Sequence, residues 1–282
     1  FYQLRSVSMT ESILKVENVS LAFGGVKALT DVSFEVPRGS VFSIIGPNGA
    51  GKTSMLNCIS GRYQPNSGNV IFNDKIVTDL RPNDRADLGM GRTFQNLALF
   101  GHMSVLDNIM VGRHHLLKNN WLTGPLYWAS PAQKEELAHR RYCEEIIDFL
   151  EISHIRKSVA GTLSYGLRKR VELARAMALK PKLILLDEPM AGMNLEEKED
   201  MARYILDLNE EFGITVVMIE HDMGVVMDIS HQVMVLDFGK KLMSGLPDEV
   251  MADPHVKRAY LGIEDDEIEE EATNTTEERE AS

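Results

Sequence analysis

Only two of the 282 residues are cysteine, Cys58 and Cys143. They form no CxxC pair and no metal-ligand spacing, so neither a disulfide framework nor a thiolate metal site is indicated, and a reducing compartment fits. Each lies in a helix-like stretch, where a small buried hydrophobe is the expected role. Long hydrophobic runs are also missing. Runs such as Leu183–Leu186 and Val216–Ile219 fall far short of the roughly 20 apolar residues a membrane helix needs; they suit buried strands. Glycine (21) and proline (10) are too scarce for collagen-like or low-complexity architecture. Excess positive charge is absent, the net charge being -12. Glu264–Ser282 holds ten acidic residues against Arg279, a net -9, which leaves -3 for the rest. That near-neutral body offers no bulk electrostatic case for nucleic-acid binding, and the acidic stretch reads as a solvated, disordered tail over 263–282. Phe1–Thr10 lacks the basic and apolar regions of a signal peptide. Residues 1–12 read as a disordered leader, with Met9 a candidate natural start.

What is present is a globular balance, 44% hydrophobic and 26% charged. Ile13–Phe23 alternates in polarity as a strand does, and so do Val32, Phe34 and Val36 before the Pro37-Arg38-Gly39 turn. Val41–Ile45 is a short buried-strand run. Ser54–Ser60 has helical spacing, and Asn69–Phe72 reads as a strand after the turn at Pro65–Gly68. From about 97 to 177 the pattern becomes helical. Val105–His114 and Pro131–Leu150 are periodic and charged, with Trp121, Pro125 and Trp128 in a loop-like stretch between them. Strand and helix patterns then alternate again through Leu183–Leu186, Lys198–Glu211, Thr215–Ile219 and Val233–Leu236. The fold predicted is α/β: a parallel sheet with crossovers, interrupted by a helical block. No internal repeat is visible.

Two motifs carry chemistry. Gly46-Pro47-Asn48-Gly49-Ala50-Gly51-Lys52-Thr53 has the P-loop spacing, between a strand-like run and a helix-like one. Glycines let the backbone curl so that successive N–H groups face phosphate oxygens, and the following helix presents its positive end to the same anion. Lys52 is placed to reach the β- and γ-phosphates and Thr53 to offer a hydroxyl to Mg²⁺; Ser54 follows as a further candidate nucleotide contact. Leu183-Ile184-Leu185-Leu186-Asp187-Glu188 supplies the second half. Its apolar strand delivers Asp187 at the carboxyl edge of the sheet, where ligands of α/β folds collect. Asp187 is a candidate Mg²⁺ ligand through water, and Glu188 a candidate to orient or deprotonate attacking water. Alone, the Asp-Glu pair would suit a helix N-terminus; beside a P-loop it points to phosphoryl chemistry.

With these in place, the chain from about Ile13 to Gly262 resembles the ATP-binding-cassette (ABC) ATPases. Thr93-Phe94-Gln95 is similar to the family's Q-loop, which implies Gln95 near Mg²⁺ and the attacking water. Leu163-Ser164-Tyr165-Gly166-Leu167 resembles the signature motif, whose Ser164 and Gly166 would close over the ATP held by another subunit. Ala191-Gly192-Met193-Asn194 occupies the D-loop position, and His221 that of the switch histidine. Phe23 lies where an aromatic stacks on adenine, with Val26 alongside. Each has a plainer role open to it: Gln95 as a surface amide, Ser164 as a helix N-cap, His221 as a loop histidine, Phe23 as core. Tyr165, Leu167 and Asn194 depart from the commonest family pattern, and Tyr165 and Asn194 suit the branch that serves branched-chain amino-acid importers. His114 and His115 read as solvated helix residues, with no third ligand in view.

The resemblance implies a P-loop NTPase core with an inserted α-helical subdomain (about 97–177) and an N-terminal antiparallel β region, spanning 13–262. It implies ATP and Mg²⁺, hydrolysis, a second ATPase subunit, separate membrane permease subunits and, indirectly, a substrate-binding protein, at the cytoplasmic face of the plasma membrane. Phe100, Met103 and Val105 read as apolar residues that a permease helix could contact or that pack locally. A soluble ABC-type switch acting on nucleic acid or ribosomes is the alternative. One cassette per chain and a near-neutral body weigh against it.

Overall fold

The computed structural model describes residues 11–93, 99–113 and 131–261. The chain opens as a hairpin: β1 (Ser12–Phe23) and β2 (Val26–Pro37) pair antiparallel from Ser12↔Pro37 to Phe23↔Val26, turning at Gly24 and Gly25. β3 (Val41–Ile45) leaves for a second sheet, while β4 (Ser67–Phe72) and β5 (Lys75–Ile76) complete an antiparallel sheet ordered β2-β1-β4-β5. Glu11 and Ser12, expected within a leader over 1–12, belong to the described fold. Ser12 already pairs in β1, and Glu11 meets the Arg38 guanidinium at 3.0 Å, because the end of β2 returns beside the start of β1. The rest of the leader, and the tail from 263, lie outside the described residues.

The second sheet adds β6 (Met90–Arg92), β7 (Leu183–Asp187), β8 (Thr215–Ile219), β9 (Gln232–Asp237) and β10 (Lys240–Gly245), in the order β10-β9-β3-β8-β7-β6. Every neighbouring pair is parallel except the β9–β10 hairpin. The central strands read as unbroken apolar runs because helices or the first sheet cover both faces. Phe42, Ile44, Leu183, Leu185, Val217 and Ile219 point toward the antiparallel sheet and α1 (Lys52–Ile59). Their alternates Val41, Ile184, Leu186, Val216 and Met218 point into the helical side. β6 and β10 escape the strand pattern because each lies at an edge and is paired on one side only: β6 is three residues with a glycine, and β10 is mostly exposed with no buried residue.

After α2 (Pro82–Asp87), the helical side holds α3 (Val105–Val111), α4 (Pro131–Phe149), α5 (Tyr165–Met177) and α6 (Leu195–Phe212). Their apolar faces share one core with the sheet. Among the described residues of the block from 99 to 177 there is no strand, only an isolated bridge between Ser104 and Val159. α7 (Met223–Ile229), α8 (Pro247–Ala252) and α9 (Pro254–Leu261) close the chain. Cys58 in α1 and Cys143 in α4 are buried free thiols, each pushed up to about 11 by burial. Phe100 is about half exposed, but Val105 is fully buried at the start of α3 and Met103 is half-buried, so that expected apolar surface reduces largely to Phe100. His114, His115, Trp121, Pro125 and Trp128 lie outside the described residues.

Candidate functional site

Parallel pairing decides where the candidate residues meet. β3, β8 and β7 are adjacent, and their register sets Ile44 level with Ile219 and Ile219 level with Asp187. The turns that follow all leave from the same edge. One carries Gly46–Lys52, another Glu188, the third His221. Between them lies a cavity of about 380 Å³, lined by Val26 to Ala28, Asn48 to Ser54, Glu188 and His221.

The cradle is built largely of backbone. Gly51 is the N-cap of α1, with φ 100°, and no side chain caps the first turn. The helix's leading N–H groups are therefore left for a ligand, which suits an anion. A side chain at Gly51 is doubly excluded, because a Cβ there would sit 2.6 Å from the Ala28 carbonyl oxygen. Lys52, 6% exposed, folds over the loop and donates to the Gly46 carbonyl at 2.6 Å and the Pro47 carbonyl at 3.0 Å. Burial lowers its pKa, while Glu188 and Asp187 push it back up.

Asp187 is 1% exposed at the end of β7. Burial raises its carboxyl above the ordinary aspartate value, opposed by the Arg92 guanidinium 3.5 Å away. Arg92 also donates to Ser60 Oγ. The other Asp187 oxygen, Oδ1, is buried without a hydrogen-bond partner in the structure. An orphaned carboxylate oxygen beside a phosphate cradle is what a hard cation with few protein ligands requires. The chemistry of Asp187, with the Thr53 hydroxyl at the start of α1 as a second candidate oxygen, therefore fits a hard cation such as Mg²⁺. Among the described residues no group of three or more His, Cys, Asp or Glu forms a separate metal cluster.

Glu188 holds a left-handed backbone, φ 51°. Its N–H donates to the Ile219 carbonyl at 3.0 Å, and its own carbonyl accepts from Lys169 Nζ of α5 at 3.3 Å. Its side chain meets His221, Oε1 to Nε2 at 2.6 Å. The next residue, Asp222, caps α7 and pairs with Lys198 of α6 at 2.7 Å.

Other candidates stand elsewhere. Val26 lines the cavity; Phe23, directly across the hairpin, is half exposed with its ring edge-on to Tyr63 at 5.1 Å, so it is not core. Gln95 lies outside the described residues. Ser164 is the N-cap of α5, its Oγ accepting from the Leu167 N–H at 3.4 Å; the Leu167 side chain packs on the helical core. Gly166 is buried against α6: a Cβ there would lie 2.3 Å from Glu197 Oε1. Glu197 is held in place by a capping box, Oε2 accepting from the Asn194 N–H at 3.2 Å while Asn194 Oδ1 accepts from Glu197 N–H at 2.9 Å. Ser164 and Gly166 do not line the cavity. Sequence reasoning passed over Arg92, Glu197 and Glu220. The Asn-x-x-Glu spacing of the capping box was a readable signal for Glu197, and a charge ending an all-apolar strand was one for Glu220.

Comparison with known proteins supplies a lineage for this geometry. A family profile described as "ABC transporter" matches residues 29–191, and one described as "Branched-chain amino acid ATP-binding cassette transporter" matches residues 240–266. The chain is 37% identical over 254 residues to the high-affinity branched-chain amino acid transport ATP-binding protein BraF of Pseudomonas aeruginosa, covering 90% of this chain and 99% of BraF. Among solved structures it is similar to the ADP conformation of MJ1267, an ATP-binding cassette of an ABC transporter. That match has a TM-score of 0.78 and 34% identity, covering 90% of this chain and 100% of MJ1267. It is also similar to the dimeric post-hydrolysis state of the cassette MJ0796 bound to ADP and Pi, with a TM-score of 0.70, 26% identity and coverage of 83% and 98%.

Proposed function

The chain belongs to the ABC transporter family, and from that premise we propose that it powers uptake of a branched-chain or other hydrophobic amino acid through separate permease subunits. It is an ABC ATPase, hydrolysing ATP to ADP and phosphate. The observation that carries the reading is the convergence of Lys52, Glu188 and His221 on one cavity at the carboxyl edge of the sheet. Residues 13–262 act as one nucleotide-binding domain, with the helical subdomain of about 97–177 inserted in it.

The P-loop N–H groups and Lys52 hold the phosphates, and Ser54 continues the cradle along α1. Val26 and Phe23 take the base. Thr53, Asp187 and Gln95 would hold Mg²⁺, which would supply charge neutralisation for the phosphates. Glu188 orients the attacking water and accepts its proton, and His221 holds the γ-phosphate. Ser164 and Gly166 complete the site of a second ATPase subunit, identical or paralogous, in a head-to-tail pair. Among the described residues no helix is long and apolar enough to cross a membrane. In this reading the chain works at the cytoplasmic face of the membrane by docking on permease subunits, as its similarity to transport ATP-binding proteins supports, and a substrate-binding protein supplies those permeases. A cavity of about 440 Å³ beside the helical block, lined by Phe100, Val111, Arg62 and Arg175, suits the permease contact.

Glu188→Gln tests the reading, because it keeps the shape and removes the basic carboxylate. Turnover falls by roughly 10²–10⁴-fold while nucleotide binding persists. In size-exclusion chromatography the variant runs as a dimer with ATP and as a monomer with ADP. Turnover at the wild-type rate would overturn the assignment. A variant that stays monomeric in ATP, with the permease present, would remove the two-subunit site.

A further inference from the structure

Glu220 stands one residue beyond the apolar strand β8 and is 3% exposed. Taking a carboxylate out of water is costly unless its oxygens find donors. Burial does raise the Glu220 carboxyl above the ordinary glutamate value, and the backbone donors of Met190 and His221 pull it back. Oε1 accepts from the Met190 N–H at 2.9 Å, and Oε2 accepts from the His221 N–H at 3.1 Å.

Those two N–H groups belong to different turns. Met190 lies two residues past Glu188, in the turn after β7; His221 opens the turn after β8. One buried carboxylate thus straps the two turns together from beneath. On the open side, the side chains of Glu188 and His221 meet at 2.6 Å and line the cavity. The left-handed backbone of Glu188 persists only if its surroundings hold it. Two of the bonds that flank it are its own N–H to the Ile219 carbonyl and the Met190 N–H to Glu220.

We propose that Glu220 is a positioning residue for ATP hydrolysis, its carboxylate holding the Glu188 turn against the His221 turn so that the two side chains stay in register over the γ-phosphate. The proposal rests on the roles given to Glu188 and His221 above. Glu220 itself touches no reacting atom.

Glu220→Gln preserves volume and one acceptor oxygen, but sets an NH₂ group against one of the two N–H donors. Glu220→Leu preserves bulk and removes both acceptors, leaving two buried N–H groups unpaired. The full chain carrying each change is compared with wild type and Glu188→Gln for kcat, KM, binding of a fluorescent ATP analogue and melting temperature. Under the proposal kcat falls about tenfold in Glu220→Gln and further in Glu220→Leu, while KM and analogue affinity of Glu220→Gln stay within twofold of wild type. The cradle is built by β3 and α1 and does not depend on the strap, so binding survives. An unchanged kcat in Glu220→Gln overturns the proposal. So does a parallel fall of kcat, affinity and melting temperature in that variant, which would make Glu220 a general part of the fold. Wild-type turnover in Glu188→Gln, or none in wild type, is the separate result that overturns the site reading and the proposal with it.

Discussion

The P-loop and the Glu188–His221 pair line the same cavity but are held there by different means. The loop is a run of consecutive residues whose glycines, helix start and returning lysine shape it mainly from within, with the Ala28 carbonyl and the Gly239 N–H closing in from outside. Lys52 bonds to carbonyls only five and six positions before it. The pair spans 33 positions and exists only because β7 and β8 are neighbours in register. A local site tolerates change in the distant fold. A non-local one inherits every shift of the strands and straps beneath it.

The deepest break in that contrast is at Lys52. Lys52→Ala removes the cation nearest the β- and γ-phosphates, so turnover falls by roughly 10²–10³-fold and ATP affinity falls with it. The fold survives, because only two bonds within the loop are lost; calorimetry of ATP binding together with circular dichroism checks both halves. Unchanged affinity and rate would show that the loop is not a phosphate cradle.

Gly166→Ala sharpens the non-local side. Its Cβ collides with Glu197 Oε1, so the carboxylate leaves the Asn194 N–H and the capping box opens. Losing such a cap costs about 1 kcal/mol. We expect a melting point lower by roughly 2–4 °C and a turnover reduced by about tenfold, a loss of transition-state stabilisation near 1.4 kcal/mol. Glu197→Ala, added to Gly166→Ala, then lowers the melting point by less than its effect alone, since both changes remove one contact. Full additivity of the two melting-point losses would show that the contact carries no load.

The smallest effect is at Asp222, which ties the His221 turn to α6. The hydrogen bond from Lys198 holds its carboxyl below the ordinary value of 3.8. A depressed pKa contributes stability that is full above the unfolded value and is lost as the pH falls through the folded one. Asp222→Asn therefore lowers the melting point by about 1–3 °C at pH 7, a modest loss because the pair is partly exposed. The difference from wild type shrinks as the pH drops below 3.8. A difference that is constant with pH would mean that the carboxylate charge contributes nothing.

The central strands were readable because burial on both faces leaves no polar alternation, and α6 because of its amphipathic periodicity, although its cap at Asn194 and Glu197 was passed over and the helix was expected only from Lys198. β6 and β10 were not readable, since a strand paired on one side at a sheet edge carries no apolar run of its own. Val105 suited either a permease contact or local packing, and the start of α3 turns it into the core. For Phe23, read from the family resemblance as an adenine-stacking aromatic with core as the plainer role, half exposure at a hairpin end removes the plainer role.

Residue order alone sufficed for the P-loop, the Asp-Glu pair at a strand end and the helical insertion, because each is written in spacing: turn glycines, apolar runs, a helix period. The 2.6 Å meeting of Glu188 with His221, the Glu220 strap, the Arg92 contact with Asp187 and the Glu197 carboxylate against Gly166 are not written that way. Each joins residues brought together by strand order, register or helix packing, or seals a buried charge whose partners are backbone groups of another turn. Such contacts depend on which strand lies beside which, and that is settled by burial of the whole sheet, not by any one segment.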